Sequence, residues 1–377
     1  MAGIYIHIPF CKKKCSYCDF HFSTTFSSYR KELIDSLCKE IILRKEYLKK
    51  EEGLQNIETI YFGGGTPSLL SKKEIESILT TIRTIYSIDP KVEITLEANP
   101  DDLTFANLNL FKSIGINRLS IGLQSFRESD LQWMNRAHTS EESFNCIKYA
   151  QSVGFENISI DLIYGLPNLS LEEWKKSIET AIALNVPHIS AYCLTVEGKT
   201  ALKKWVAEQK IIPSNEDEQS EQFNLLVEML DNAGIQQYEI SNFSKKGFES
   251  KHNSSYWKGI HYLGIGPSAH SFNGKSRSWN ISNNRKYIQL IENKEDWFEL
   301  EELTKENQFN ELLLTGLRTI YGVNLSSLQE ILPLQETFQS KVIQFSESNW
   351  MYTEKNILYL TKEGKLKADY IVSELFV

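Results

Sequence analysis

Hydrophobic and polar positions along the first half of the chain alternate between a short-run pattern and a helical one. Ile4–Ile8, Ile57–Phe62, Val92–Leu96, Arg118–Ile121, Asn157–Ile163 and His188–Leu194 are short runs rich in β-branched and apolar residues, and each reads as a strand. Between them, Tyr29–Lys50, Ser71–Tyr86, Leu103–Ile114, Glu141–Val153 and Leu171–Leu184 carry helical periodicity. Ser71 followed by Glu74 is a capping-box pattern, and Gly115 and Gly154 stop the helices before them. Strands alternating with helices imply a parallel sheet of βαβ units, either barrel-like or doubly wound. The residues with chemistry sit just after the strands: the loop holding Cys11, Cys15 and Cys18, the turn Gly63-Gly64-Gly65-Thr66-Pro67, Glu97, Gln124 and Asp161. In a parallel barrel, such positions converge at the C-terminal mouth.

Beyond about residue 200 the alternation fades. Asn215–Ala233 reads as a long helix ending at Gly234, and Ser241–Asn284 as a loop-rich stretch with His252, His261, His270 and several aromatics. After Thr304, helices are predicted over Lys305–Ile320, Leu325–Ile331 and Gln335–Ser346. A hairpin over Met351–Leu360 and a last helix over Thr361–Glu374 complete a winged-helix-like order. The predicted organisation is a barrel over 1–235, a loop-rich connecting region over 236–303 and a small, mostly helical domain over 304–377.

Composition narrows the function classes. A net charge of −8 over 377 residues speaks against a general nucleic-acid binder. No apolar run approaches the length of a membrane span. The N-terminus lacks the basic start and apolar core of a signal peptide, so a cytoplasmic location is expected. Thiols stay reduced there, and clustered cysteines then point to metal or redox chemistry. Cys38, Cys146 and Cys193 are scattered and read as buried thiols.

Cys11-Lys-Lys-Lys-Cys15-Ser-Tyr-Cys18 is C-x3-C-x2-C. Three thiolates on a four-iron cluster leave one iron open to a small chelating molecule. Lys12, Lys13 and Lys14 are placed to favour thiolate over thiol. On spacing alone, a Cys3His zinc site completed by His21 stays open as the alternative.

The cysteine loop, read with Tyr5-Ile-His7-Ile-Pro-Phe before it, resembles the radical SAM superfamily. The resemblance continues through Gly63–Pro67, Glu97-Ala-Asn-Pro100, Asn117–Phe126, Asn135-Arg136, Asp161–Pro167 and Leu263–His270. It implies a partial (β/α)6 TIM-like barrel with a [4Fe–4S] cluster on Cys11, Cys15 and Cys18. It also implies S-adenosylmethionine bound by Tyr5, Tyr17, Gly64, Gly65, Thr66, Glu97, Gln124, Arg136 and Asp161. Within the superfamily, the chain resembles the group that joins oxygen-independent coproporphyrinogen III dehydrogenases to heme chaperones. Two details separate these. The dehydrogenase loop carries a fourth cysteine where this chain has Phe20, and its barrel follows an N-terminal extension, whereas here the first predicted strand begins at Ile4. His252-Asn-Ser-Ser-Tyr256-Trp257 matches the H-N-x-x-Y-W pattern of the heme chaperones, which implies heme contacts from His252, Tyr256 and Trp257. The expected function is heme binding and delivery to an acceptor protein, with a membrane respiratory enzyme as the candidate acceptor and a flavodoxin-like electron donor. Oxidative decarboxylation of coproporphyrinogen III is the alternative activity.

Overall fold

The computed structural model describes residues 2–50 and 53–377. Six strands follow one another with helical crossovers: β1 (Ala2–Ile8), β2 (Ile57–Gly64), β3 (Ile88–Ala98), β4 (Arg118–Gln124), β5 (Asn157–Tyr164) and β6 (His188–Cys193). They pair in parallel in that order. The connecting helices are α1 (Arg30–Leu43), α2 (Lys72–Ile85), α3 (Phe105–Ser113), α4 (Ser140–Ser152) and α5 (Leu171–Ala183). Ser71 caps α2 in a full capping box with Glu74, as predicted. Ser71→Ala is expected to cost about 1 kcal/mol, read as a shift of the denaturant midpoint at unchanged slope.

Parallel sheets are usually apolar on both faces. Here one face is apolar and the other polar. Ile4, Ile6 and Ile8, Ile60 and Phe62, Leu119 and Ile121, and Ile158, Ile160 and Leu162 join the buried helix residues in one continuous core. The alternate positions carry Tyr5 and His7, Thr59 and Tyr61, Thr95 and Glu97, Arg118 and Ser120, Ser159 and Asp161, and His188 and Ser190. The ladders set these in rows: Tyr5 opposite Tyr61, Glu97 opposite Ser120, Asp161 opposite Ser190. The polar face is sustained by its own hydrogen bonds. His188, for example, reaches Ser159 Oγ at 2.7 Å and the Tyr238 hydroxyl at 2.8 Å.

The region predicted as loop-rich is instead the extension of this sheet. After the long helix α6 (Glu216–Asn232), strands β7 (Gln236–Glu239) and β8 (Asn242–Ser244) add antiparallel to the β6 edge. A short helix α7 (Lys251–Trp257) then leads into β9 (Tyr262–Ile265), which pairs in parallel with β1. Strands β10 (His270–Phe272), β11 (Ser276–Asn280) and β12 (Phe298–Glu302) complete that side antiparallel. The sheet runs β12-β11-β10-β9-β1-β2-β3-β4-β5-β6-β8-β7, an open partial barrel whose parallel part has seven strands. These added strands are short and interrupted by Gly and Ser, so periodicity alone does not reveal them.

A buried carboxylate ties the added strands to α1. Glu40 accepts from Gly266 N–H at 2.8 Å, Asn280 Nδ2 at 2.8 Å, Tyr287 Oη at 2.6 Å and Trp297 Nε1 at 2.9 Å. The first helix ends at Leu43 rather than continuing to Lys50, and Arg44 at its C-cap turns inward to reach Ser278 Oγ at 2.9 Å. The last predicted helix is also broken, into Lys362–Lys365 and Ala368–Glu374. A second core gathers Phe309, Leu313, Phe338, Phe345, Leu358 and Ile371 around a small antiparallel sheet of Val323–Asn324, Met351–Glu354 and Ile357–Leu360. Among the described residues no helix is long and apolar enough to cross a membrane.

Candidate functional site

The strand ends bring the predicted residues together at one mouth. The cysteine loop leaves β1 and is pinned on several sides. Cys11 N–H donates to the Ser23 carbonyl at 3.1 Å, and Ser16 N–H donates to the Met134 carbonyl at 3.0 Å. Asn135, held at φ 56°, donates to the Lys14 carbonyl at 2.8 Å. Lys12 pairs with Asp101, at 2.6 Å, and with Asp102. Lys12 and Lys13 therefore do not serve the thiols as the sequence suggested, whereas Lys14 lines a pocket with Cys18. Lys12 is spent on those aspartates and Lys13 reaches the Arg136 carbonyl, while burial pushes the Cys11 and Cys18 thiols up to about 11. The cation at the thiols is Arg136, whose Nη1 lies 3.5 Å from Cys15 Sγ. Thr66 Oγ1 donates to Cys11 Sγ at 3.5 Å.

The glycine turn at the end of β2 needs its glycines. Gly64 has φ +105°, and a Cβ there would sit 2.6 Å from the His7 ring; a Cβ on Gly65 would meet the Phe10 carbonyl oxygen at 2.7 Å. Gly64→Ala is expected to cost roughly 1–3 kcal/mol in chemical denaturation, from backbone strain and displacement of His7.

Glu97 is the central carboxylate. One oxygen accepts from the Tyr61 hydroxyl at 2.8 Å and the other from Gly64 N–H at 3.1 Å. Burial raises its pKa to about 7, and burial raises Asp161 to about 6. Asp161 faces Ser120 Oγ at 3.4 Å. Arg136 donates through Nη2 to Asn99 Oδ1 at 2.8 Å and to the Gly122 carbonyl at 2.7 Å. Its Nε is buried without a partner. Tyr17 lies beside Arg136, and burial raises the pKa of its hydroxyl. Gln124 closes β4 at a register shift and holds a left-handed φ of 68°. A non-glycine residue is kept there only when its surroundings over-determine it. Tyr61 and Asn99 belong to this constellation but were not singled out. Tyr61 was legible only as the inward residue two before Gly63, and Asn99 lies inside the quoted Glu97–Pro100 stretch.

A cavity of about 790 Å³ opens beside the mouth, reaching from Tyr5, Gly64 and Glu97 to the second core at Leu312. Tyr256 and Trp257 line it, but His252 does not. His252 is 1% exposed. It meets Thr59 Oγ1 at 2.7 Å through Nδ1 and the Tyr256 hydroxyl at 2.8 Å through Nε2. Its ring stacks on Tyr61 with centroids 5.0 Å apart, and burial lowers its pKa to about 3. The expected heme contact is thus placed behind the wall, with both nitrogens engaged. His261 is not among the lining residues but packs edge-on against Phe272, which is, and lies 2.9 Å from Gln55 through Nδ1. Of the scattered cysteines, Cys146 is buried as predicted, whereas Cys38 and Cys193 are half-buried. Among the described residues no three His, Cys, Asp or Glu side chains are close enough to hold a single metal ion.

Comparison with known proteins places these features. Residues 5–181 match the radical SAM superfamily. The chain is 35% identical to the heme chaperone HemW of Bacillus subtilis (strain 168), over 97% of this chain and 97% of that protein. It is 34% identical to the heme chaperone HemW of Buchnera aphidicola subsp. Acyrthosiphon pisum (strain APS), over 96% and 95%. Among solved structures, the radical SAM enzyme coproporphyrinogen III oxidase (HemN) from Escherichia coli superposes with a TM-score of 0.85 at 21% identity, covering 100% of this chain and 90% of that one. That likeness establishes the fold.

Proposed function

This chain belongs to the radical SAM superfamily and, within it, to the HemW family of heme chaperones, and from that premise we propose that it binds heme and passes it to an acceptor protein. The single observation that carries this reading is kinship with heme chaperones along the whole chain, the C-terminal unit included. On the same reading it holds a [4Fe–4S] cluster and S-adenosylmethionine.

The residues present fit those groups. Cys11, Cys15 and Cys18 form a soft donor set on one pinned loop. In a four-iron cluster each thiolate binds a different iron, so the ligands need not converge on one point. A glycine cradle at Gly64 and Gly65 leaves room where any Cβ would collide. Arg136 keeps a buried Nε–H without a partner, which a ligand carboxylate would satisfy. When bound, the cluster supplies one-electron reducing chemistry to S-adenosylmethionine. The chain's own part is to orient and shield. Glu97 accepts from ribose hydroxyls, Tyr5 and Tyr17 border the pocket, and Gln124 and Asp161 close its far side.

Heme fits the neighbouring cavity. Its volume lies in the range of small-molecule sites, and Phe20, Tyr256, Trp257, Tyr262 and Phe272 give it aromatic walls. Phe20 stands 68% exposed at the mouth, next to the cluster loop. The acceptor on this reading is a membrane respiratory enzyme, the reductant is flavodoxin-like, and the protein works in the cytoplasm.

The test is heme titration and coproporphyrinogen III turnover, run in parallel on anaerobically reconstituted protein. The expected outcome is near-stoichiometric heme binding with no conversion to protoporphyrinogen IX. Robust turnover, or no heme binding, contradicts the proposal.

A further inference from the structure

We propose that His270, not the motif histidine His252, is the protein ligand to the iron of heme held in the cavity. The inference rests on the heme-binding reading above and names the residue that would carry it.

Among the described residues the cavity wall presents three imidazoles: His7, His21 and His270. His7 is committed on both sides. Its Nε2 lies 2.9 Å from the His21 carbonyl and its Nδ1 lies 3.2 Å from the Tyr5 hydroxyl. His21 donates Nε2–H to Asn284 Oδ1 at 2.7 Å, which leaves its Nδ1 as a rival lone pair. His270 is different: it is exposed to the cavity, and neither ring nitrogen has a hydrogen-bond partner among the described residues. An imidazole with an unused lone pair on an aromatic wall is suited to an iron centre.

The fold also fixes where that lone pair sits. His270 opens β10, and its register partner on β11 is Trp279. The two rings stack with centroids 6.3 Å apart and planes 29° from parallel. The backbone is clamped from the other side. A Cβ on Gly264 would fall 2.0 Å from the His270 carbonyl oxygen, so the close approach of β9 to β10 requires glycine there. Partial burial and the nearby Arg277 guanidinium lower the pKa of His270, which keeps the ring neutral, the form that binds metal. A ligand on a strand, backed by a stacked ring, is held more firmly than one on a loop.

His252 lacks these properties. To reach iron it would have to leave the interior and surrender its bonds to Thr59 and Tyr256. It acts instead as a positioning residue, fixing the Tyr256 hydroxyl and so the aromatic wall. Lys258 lines the same cavity and makes no ion pair among the described residues, which leaves a cation for a heme propionate.

The experiment is heme titration of full-length, cluster-reconstituted protein, followed by absorption and EPR spectra of the ferric complex. Wild type is compared with His270→Ala, His270→Met, His21→Ala and His252→Gln. His270→Ala is expected to weaken heme binding by at least about tenfold, on the scale set by loss of metal-site partners. Its ligand-field signature should change, and added imidazole should restore the wild-type spectrum. His270→Met is expected to give a thioether-type spectrum. That variant shows that the site, and not merely the fold, has been altered. His252→Gln, which can still bond Tyr256, should keep the wild-type ligand field. His21→Ala is expected to keep the wild-type ligand field, and a change of spectrum there would overturn the assignment. If wild type binds heme and both His270 variants keep its spectrum, the ligand assignment falls while the chaperone reading stands. Loss of the wild-type signature in His252→Gln overturns the assignment in favour of the motif histidine. If wild type binds no heme at all, the chaperone reading itself fails.

Discussion

Cys15→Ser is expected to leave a folded protein that no longer takes up iron. After anaerobic reconstitution, iron and acid-labile sulfide should fall at least about tenfold below wild type, and the brown chromophore should be lost. A serine hydroxyl does not ionise near neutral pH and is a hard donor, so it cannot replace a thiolate on iron. Two remaining thiols cannot hold a cluster that three would hold with one iron open. The loop itself should survive, because its shape does not depend on the sulfur. It is pinned by the Ser16 and Cys11 backbone bonds, the Asn135 bond to the Lys14 carbonyl and the Lys12 ion pairs. The melting temperature of the cluster-free proteins should therefore match. Only the weak 3.5 Å contact from Arg136 to Cys15 is lost. Wild-type iron content in the variant would remove Cys15 from the ligand set. Stoichiometric zinc in place of iron and sulfide in the wild type would remove the cluster reading altogether.

Much of this site was legible because its residues occupy strand ends, and strand ends are where a βαβ pattern is most readable. The six runs from Ile4 to Leu194 locate β1 to β6, and the chemistry lies in the C-terminal half of the first five or within a few residues beyond it. The remainder was hidden for definite reasons. The added strands β9 to β12 are only a few residues long and carry Gly, Ser and Asn where a pattern would want Val or Ile. Their cohesion comes from Glu40, which occupies the buried face of α1 despite its charge and is fully buried with four donors around it. The motif histidine His252 announces itself in sequence, yet spacing cannot say whether an imidazole faces a cavity or a core. That depended on Thr59 and Tyr256 occupying both its nitrogens. His270 has the opposite history. Its stretch, Leu263–His270, belongs to the family resemblance, but spacing cannot show that the ring faces the cavity with no hydrogen-bond partner among the described residues. The lysines beside the cysteines taught the same lesson, since the aspartates that claim Lys12 lie on a different strand end.

The affinity of cluster-loaded protein for S-adenosylmethionine is expected to rise with pH up to about 7, through Glu97. Burial is the largest cause of the raised pKa, so in the unliganded protein the carboxyl keeps its proton to a higher pH than it would in the unfolded chain. The sign follows. Unfolded chain releases this proton near the ordinary carboxylate pKa and native protein only near 7, so the unliganded fold loses stability as pH rises across that window. Asp161, raised to about 6, acts in the same direction. A ribose that donates hydroxyl hydrogen bonds favours the ionised Glu97. Binding then expels the proton, and affinity should improve by up to about tenfold per pH unit below 7 before levelling. The α-amino group of the ligand adds a pH dependence of its own, centred near about 8. Glu97→Gln separates the two. It should remove the component below 7 and leave the amino component in place. It should also weaken binding by about 100-fold at pH 8, the equivalent of losing the charge on an acceptor of two hydrogen bonds. Calorimetry in buffers of different ionisation enthalpy counts the released proton directly. A wild-type affinity that is flat from pH 6 to 7, or an unimpaired Glu97→Gln variant, would show that the ribose is held elsewhere.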